Sequence, residues 1–206
     1  MSHPWLRSLF ASLFLAGPGF ADTAPDLDDV SAYFNRTPTL ETRFTQHNAD
    51  GSRSTGTLYL ERPGKLRMEY DPDTGGGLLL VSGGSVAIFD DRGDSRPHRY
   101  ALNQTPLAPL LARHVDLARA EEVSGQDAGA DFISVLARDP DHPGRGQARF
   151  TLKGAPLELA SWIMTNQAGE TTHISFEDEL HKNHYLPHRL FSIRQEIENR
   201  TPQRGR

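Results

Sequence analysis

Hydrophobic and polar residues alternate along the stretch from Gly56 to Tyr70, which reads GTLYLERPGKLRMEY. The apolar positions are Leu58 and Leu60 before a Pro63-Gly64 pair, and Leu66, Met68 and Tyr70 after it. A period of two residues is typical of a strand with one buried face. Proline fixes its own φ and glycine tolerates a positive φ, so the pair suits a tight reversal. We therefore predict a β-hairpin whose two apolar faces lie on the same side of the sheet.

Arg62 interrupts this pattern, because it continues the row of apolar positions that contains Leu58 and Leu60. A charged side chain on a buried face is costly unless it is paired or hydrogen-bonded. Two interpretations stay open from the residues alone. The guanidinium either extends to solvent at the strand end, or it has a role inside a cavity.

The rest of the chain divides into short apolar runs separated by turn residues. Apolar residues at helical spacing predict an amphipathic helix over residues 26–35, and Thr105-Pro106 is typical of the start of a second helix, over residues 105–113. Further strands are predicted at 40–47, 78–81, 86–89, 96–102, 132–137, 148–152, 157–165, 171–176 and 190–195, before a polar tail at 196–206. Residues 115–125 show no clear pattern. Many short strands with few helices predict an α+β fold with a curled antiparallel sheet.

The first 21 residues have the composition of a secretory signal peptide. Arg7 supplies a positive charge, residues 9–16 are mostly apolar, and the segment ends in small residues at Ala21, where we expect cleavage. This apolar run is too short to span a bilayer, so we expect a soluble exported protein with one domain over residues 22–206. The sequence contains no cysteine, which excludes disulfide bonds and a lipid-modified cysteine.

Composition and motifs argue against nucleic-acid binding and against enzymatic chemistry. The formal net charge is −5, without the basic stripe that a phosphate backbone requires. No Gly-x-Ser-x-Gly or His-Glu-x-x-His motif is present, and Ser82 and Ser85 have no identifiable base nearby. His181, His184 and His188 could bind a metal, but Pro187 prevents a helix that would align them, so a solvated loop is the better interpretation. We expect neither metal nor organic cofactor.

The motifs also occur in a specific order. Phe44-Thr45-Gln46 is followed by residues 56–67 with their Arg-Pro-Gly turn, then by Val81-Ser82-Gly83-Gly84 and Thr105-Pro106-Leu107. In this order and spacing the sequence resembles the periplasmic outer-membrane lipoprotein carrier protein family (LolA-type). The resemblance implies an incomplete, unclosed antiparallel β-barrel with helices covering its open, apolar side. The chain departs from longer members of that family, because only the polar tail follows the strand predicted at 190–195, and we expect the additional C-terminal strand and loop of those members to be absent.

The resemblance also implies a site and a route. The family's cavity arginine corresponds to Arg62, which would hold a helical lid closed through hydrogen bonds. Acyl chains would contact Arg62 and the apolar residues Phe34, Leu58, Leu60, Leu66 and Met68. Acylated lipoproteins would arrive from an inner-membrane ABC transporter and leave for an outer-membrane receptor, carried by a periplasmic monomer. The alternatives are a periplasmic lipid- or lipoprotein-sensing regulator with the same fold and, more remotely, a secreted hydrolase.

Overall fold

Twelve antiparallel strands form one sheet in the computed structural model, which describes residues 24–90, 96–177 and 179–201. The predicted signal peptide lies outside the described residues. The strands are β1 (Thr39–His47), β2 (Arg53–Glu61), β3 (Lys65–Tyr70), β4 (Leu78–Ser82), β5 (Ser85–Phe89), β6 (His98–Ala101), β7 (Val123–Ala128), β8 (Phe132–Arg138), β9 (Gly146–Lys153), β10 (Glu158–Asn166), β11 (Thr171–Phe176) and β12 (His181–Lys182). Two α-helices, α1 (Leu27–Arg36) and α2 (Ile193–Arg200), flank the strands in the sequence.

The sheet does not close on itself within the described ranges. Its spatial order is β6-β5-β4-β3-β2-β1-β11-β10-β9-β8-β7, and β12 pairs with the first residues of β1. The strands β6 and β7 therefore lie at opposite ends of the order. The prediction of an unclosed antiparallel sheet is confirmed.

The predicted hairpin around Pro63-Gly64 is confirmed as β2 and β3. Its last pair joins Glu61 to Lys65, and Arg62, Pro63 and Gly64 form the turn. Gly64 has a φ of 70°, which a residue with a Cβ rarely adopts. The alternation seen in the sequence places Leu58 opposite Met68, and Leu60 opposite Leu66.

Helix α1 confirms the helix predicted over residues 26–35. The Asp26 carboxylate accepts hydrogen bonds from the backbone N–H groups of Asp28 and Asp29, at 2.9 and 3.1 Å. The Asp29 carboxylate accepts in return from the Asp26 N–H at 3.0 Å, which completes a capping box. The cap fixes where the helix begins, so that Tyr33 and Phe34 face the sheet and are buried.

One face of the sheet carries most of the hydrophobic core, and we call it the inner face. Its side chains pack in one cluster with residues of α1 and of the segment 102–117. Strands from both halves of the sheet contribute to the cluster through Leu40, Phe44, Leu58, Leu60, Leu66, Met68, Val81, Val86, Ile133, Val135, Phe150, Leu152, Trp162 and Ile174. The inner face is therefore apolar across β1–β5 and β8–β11, whereas the residues of β6 are exposed.

The prediction of a strand at 190–195 with a polar tail was wrong, because a 3-10 turn, His188–Phe191, is followed here by α2. The Ser192 hydroxyl accepts from the Gln195 N–H at 3.2 Å and caps the helix. Ahead of α2, Leu186 and Phe191 are buried in a second cluster on the outer face of the sheet, together with Leu78, Leu80, Ala87 and Phe89. Ser192 and Gln195 have the spacing of a helix start, and this signal in the sequence could have identified α2.

The prediction of a helix over residues 105–113 was also wrong. The chain instead forms two 3-10 turns, Leu102–Gln104 and Pro109–Leu111, joined by a further turn. Pro109 is the reason, because a proline inside a helix has no N–H to donate and its ring clashes with the preceding turn. Strand β7, in the stretch without a clear pattern, was missed because nearly all of its residues are exposed and therefore show no apolar alternation.

Candidate ligand-binding site

The apolar residues predicted for the cavity lie together on the inner side of the sheet. Each has at most 3% of its surface exposed, and all belong to the inner core: Phe34 on α1, Leu58 and Leu60 on β2, and Leu66 and Met68 on β3. Cross-strand pairing explains why the four strand residues meet, since they occupy opposed positions on one face. In this conformation they fill the interior near the Arg62 turn, and we call this end of the sheet the Arg62 end.

Arg62 lies in the β2–β3 turn and does not extend to solvent, since only 9% of its surface is exposed. Its Nη1 donates to the carbonyl oxygen of Ala112, and its Nη2 to that of Thr37, each at 3.5 Å. Its buried Nε has no hydrogen-bond partner among the described residues. Burial lowers the pKa of Arg62 from its ordinary value, although a guanidinium keeps its charge at neutral pH.

The backbone of the same turn is attached to both neighbouring segments. The Arg62 N–H donates to the Pro38 carbonyl at 2.8 Å, between α1 and β1. The Gly64 N–H donates to the Leu111 carbonyl, also at 2.8 Å. These two bonds are shorter than those of the guanidinium, so the turn would keep contact with both segments without the Arg62 side chain.

Two polar side chains of α1, which sequence reasoning missed, join the helix to the segment 102–117. The Asn35 amide donates to the Val115 carbonyl at 2.8 Å and accepts from the Val115 N–H at 3.0 Å. The Ser31 hydroxyl accepts from the Leu117 N–H at 3.0 Å. No local signal marks these residues, because their partners lie some 80 positions away along the chain.

The inner face is open at the end of the sheet opposite the Arg62 turn. We call this the glycine end, after Gly75–Gly77 in the β3–β4 loop. A cavity of about 540 Å³ lies there, in the size range of small-molecule sites. Its lining includes these glycines and side chains from the inner faces of five adjacent strands: Gln46, Ser54, Tyr70, Leu79 and Ile88.

The polar side chains of the lining are Gln46, Ser54, Tyr70 and Asp90, and two of them, Tyr70 and Gln46, bond each other. The Tyr70 hydroxyl donates to the Gln46 side-chain oxygen at 2.7 Å. Burial raises the pKa of Tyr70 to about 12, so the phenol is neutral at physiological pH. Its ring packs edge to face on Phe44 at 5.2 Å, above Gly56, where a Cβ would lie 2.6 Å from the Phe44 ring. Gly56 thus allows the two aromatic rings to meet across the strand between them.

The three histidines considered as metal ligands have different surroundings. The His184 ring contacts Glu41 at 3.0 Å, the His181 ring contacts Glu179 at 3.6 Å, and His188 lies 3.5 Å from the Lys65 ammonium. In the part of the chain that the structure describes, no group of three or more His, Asp or Glu side chains could hold a metal ion. The segment around these histidines was predicted to be a loop, but it also contains the short strand β12.

The sequence of this sheet and its flanking segments matches a known family. Residues 35–194 match the model of the family described as outer membrane lipoprotein carrier protein LolA. The chain belongs to the LolA family. It is also 28% identical, over 167 residues, to an outer-membrane lipoprotein carrier protein of Methylococcus capsulatus, with 76% of this chain and 77% of the relative covered. The LolA family is one of carriers rather than of enzymes.

Several solved structures resemble this chain at low sequence identity. A putative outer membrane lipoprotein-sorting protein domain from Vibrio parahaemolyticus matches with a TM-score of 0.47 and 14% identity, covering 83% of this chain and 97% of its own. A LolA superfamily protein from Nitrosomonas europaea has a TM-score of 0.44 and 12% identity, with coverages of 81% and 95%. The MucA/MucB complex of Pseudomonas aeruginosa gives 0.41 and 13%, with coverages of 82% and 61%.

The helices of this LolA-family chain are short. Within residues 24–90, 96–177 and 179–201, none has the length and apolar composition needed to cross a membrane.

Proposed function

We propose that this protein is a periplasmic carrier that binds the acyl chains of lipoproteins on the inner face of its sheet and moves them from the inner to the outer membrane. Membership of the LolA family supports the general role. The observation that carries the proposal is the apolar inner face, which is filled at the Arg62 end and open at the glycine end. An acyl chain is bound chiefly by removing its apolar surface from water, and a continuous apolar surface meets that need.

In this proposal α1 and the segment 102–117 act together as a lid over the open side of the sheet. Both contribute buried side chains to the inner core, Phe34 from α1 and Leu110 from the segment among them. The bonds of Asn35 and Ser31 join the two parts, so that they would move as one unit. Lifting this unit would uncover Leu58, Leu60, Leu66 and Met68 for cargo.

The Arg62 side chain would then adjust the balance between the closed and open lid, in addition to the backbone bond from Gly64 to Leu111. Its two 3.5 Å bonds join the β2–β3 turn to both parts of the lid, and they are long enough to be weak. A carrier must load cargo and also release it, so its two states have to lie close in free energy. Weak charged bonds that exist only in the closed state favour release without preventing loading.

The proposed partners follow from this role. Acylated lipoproteins are the cargo, an inner-membrane ABC transporter supplies them, and an outer-membrane receptor accepts them. The carrier works as a periplasmic monomer without metal or organic cofactor.

Binding of acyl chains can be tested with the purified protein and a fluorescent palmitate analogue. Ile88 lines the cavity and is 38% exposed, so that Ile88→Glu would place a charge among the acyl chains with little effect on folding. Tyr185→Glu is the matched control, because Tyr185 is also an exposed hydrophobic residue, at 77%, but does not line this cavity. We expect the Ile88 variant to lose binding and the Tyr185 variant to retain it. Equal binding by both variants would contradict a site at the glycine end.

The cellular role requires a second experiment. Depletion of a carrier should leave lipoproteins in the inner membrane, where fractionation would detect them. Correct lipoprotein localisation in depleted cells, combined with altered envelope signalling, would reject the carrier and favour a regulator.

A further inference from the structure

Strand β6 presents a free backbone edge at one end of the sheet. It pairs with β5, and all four of its residues are exposed. The Leu102 N–H donates to the Gly84 carbonyl at 2.9 Å, which sets the phase of hydrogen bonding between these segments. Because N–H groups in an antiparallel pair alternate between the two sides of a strand, those of Arg99 and Ala101 point away from β5. Among the described residues, no further strand pairs with this edge.

The edge lies beside the cavity at the glycine end. Ile88 lines that cavity and is the partner of His98 in the β5–β6 pairing. Tyr100, two residues further along the same face of β6, is 55% exposed. Adjacent strands are about 5 Å apart, so a ligand in the cavity lies about one strand spacing from the free edge.

The edge also has a charge preference. Its sequence is His-Arg-Tyr-Ala, so Arg99 is its one side chain with a formal charge at pH 7, and it contains no acid. Arg99 is exposed. An extended segment lying along β6 would bring its own side chains close to this positive charge, which favours an acidic segment.

We propose that β6 binds, by strand addition, an extended acidic peptide that directly adjoins the acylated residue of the cargo, while the acyl chain occupies the cavity at the glycine end. The lipid half of this proposal rests on the proposed function. Strand addition takes its affinity from main-chain hydrogen bonds, so it requires little of the peptide sequence beyond charge. One site could therefore accept cargo proteins of different sequence.

The variant Ala101→Pro tests the edge directly. Ala101 has φ −75° and ψ 134°, close to the φ that proline imposes, so the backbone accommodates the ring. The substitution removes one outward N–H and leaves the bonds to β5 in place. Ala101→Val is the matched control, because it adds a side chain but keeps the N–H.

The probes are a synthetic triacylated lipopeptide with an extended acidic tail and the fluorescent palmitate analogue. Loss of one hydrogen bond should weaken lipopeptide binding by Ala101→Pro about fivefold and leave palmitate binding unchanged. The valine variant should stay within about twofold of the unmodified protein for both probes. Arg99→Glu should weaken binding of the acidic lipopeptide and strengthen binding of one with a basic tail, and this pair of measurements decides the matter if the proline variant does not fold.

Three results would overturn the inference. Equal lipopeptide affinity of the proline and valine variants would show that the edge does not bind the peptide. If Arg99→Glu binds the acidic-tailed and the basic-tailed lipopeptides with the same affinities as the unmodified protein, the edge has no preference for an acidic peptide. A change from dimer to monomer in Ala101→Pro, measured by light scattering, would make β6 a contact between copies of this chain. These failures differ from failure of the proposed function, in which the unmodified protein would bind neither probe.

Discussion

Replacement of Arg62 by leucine should slow the release of bound acyl chains while leaving the fold intact. The Arg62 guanidinium is the group that joins the β2–β3 turn to the carbonyls of Thr37 and Ala112. If α1 and the segment 102–117 form a lid, the substitution removes interactions that exist only when the lid is closed. It also adds apolar surface where cargo would lie. Both effects favour the open, loaded state.

The size of the effect follows from the geometry. A hydrogen bond to a charged group contributes roughly 1.5–3 kcal/mol when its geometry is good, and at 3.5 Å we expect about 1 kcal/mol for each of the two bonds. Burial of Nε without a partner offsets about 1 kcal/mol of this. The closed state thus gains about 1 kcal/mol, which corresponds to a change of about fivefold in the balance between the two states. The free energy of unfolding should change by no more than about the same amount.

The assay measures transfer of a fluorescent triacylated lipopeptide from the preloaded protein to acceptor vesicles, with urea unfolding run in parallel. Arg62→Leu should release the probe about fivefold more slowly than the unmodified protein. Arg62→Lys should give an intermediate rate, because it keeps the charge but loses the planar group that reaches two carbonyls.

Arg67→Leu is the matched control, since Arg67 is as buried as Arg62, at 9% exposure, but faces outward. Its guanidinium bonds Glu69 at 2.9 Å and Glu196 at 3.3 Å. This variant should lose about 2 kcal/mol of stability and release the probe at the normal rate. The gating argument is refuted if Arg62→Leu releases its probe at the normal rate, or if Arg67→Leu slows release equally.

Three further predictions concern the fold and the proposed lid. Gly56→Ala should cost about 2–3 kcal/mol in urea unfolding, because its Cβ would lie 2.2 Å from a backbone oxygen, whereas Gly125→Ala, in open space, should change stability by less than about 0.5 kcal/mol. Hydrogen bonds from an arginine and a threonine lower the pKa of Asp71 from 3.8 to about 2, so its stabilisation is complete above pH 3.8 and is lost as the pH falls toward 2. Asp71→Asn should therefore be less stable than the unmodified protein at pH 7, by about 1 kcal/mol after allowance for solvent, and the difference should disappear once the pH falls below about 2. Asn35→Ala should speed hydrogen exchange of the Val115 amide by about fivefold or more, because the amide loses its acceptor. Asn35→Asp keeps the acceptor and should speed exchange less. Unchanged exchange in Asn35→Ala would show that other contacts join the two parts of the lid.

Predictions that depended on local pattern were the more accurate ones. The alternation around Leu58 and Met68 identified β2 and β3, because a strand with one buried face must repeat every two residues. The spacing of apolar residues identified α1 to within one residue at each end, because a helix with one buried face repeats about every 3.6 residues. The prediction of the second helix was wrong because it rested on the helix-start signal at Thr105-Pro106, whereas Pro109, four residues after Thr105, prevents a continuous helix.

The strand predicted at 78–81 is confirmed, but its buried outer face was not anticipated. Residues 78–81 were predicted as a strand from a run of four apolar residues. Such a run indicates that both faces of the strand are buried, and the structure places Leu78 and Leu80 under the chain around α2, while Val81 faces the inner core. The sequence contains the requirement for a second layer but does not say which segment supplies it.

The sequence by itself determined most of the strands of an antiparallel sheet, the first helix and the apolar character of the inner face. These properties follow from the spacing of residues that are close together in the chain, and a single sequence shows that spacing completely. Only the tertiary structure decided that Arg62 turns inward, that Asn35 binds Val115, and that the inner face is filled at the Arg62 end and open at the glycine end. Each of these depends on contacts between segments distant in the sequence, whose positions are set by the packing of the whole sheet and not by any local pattern.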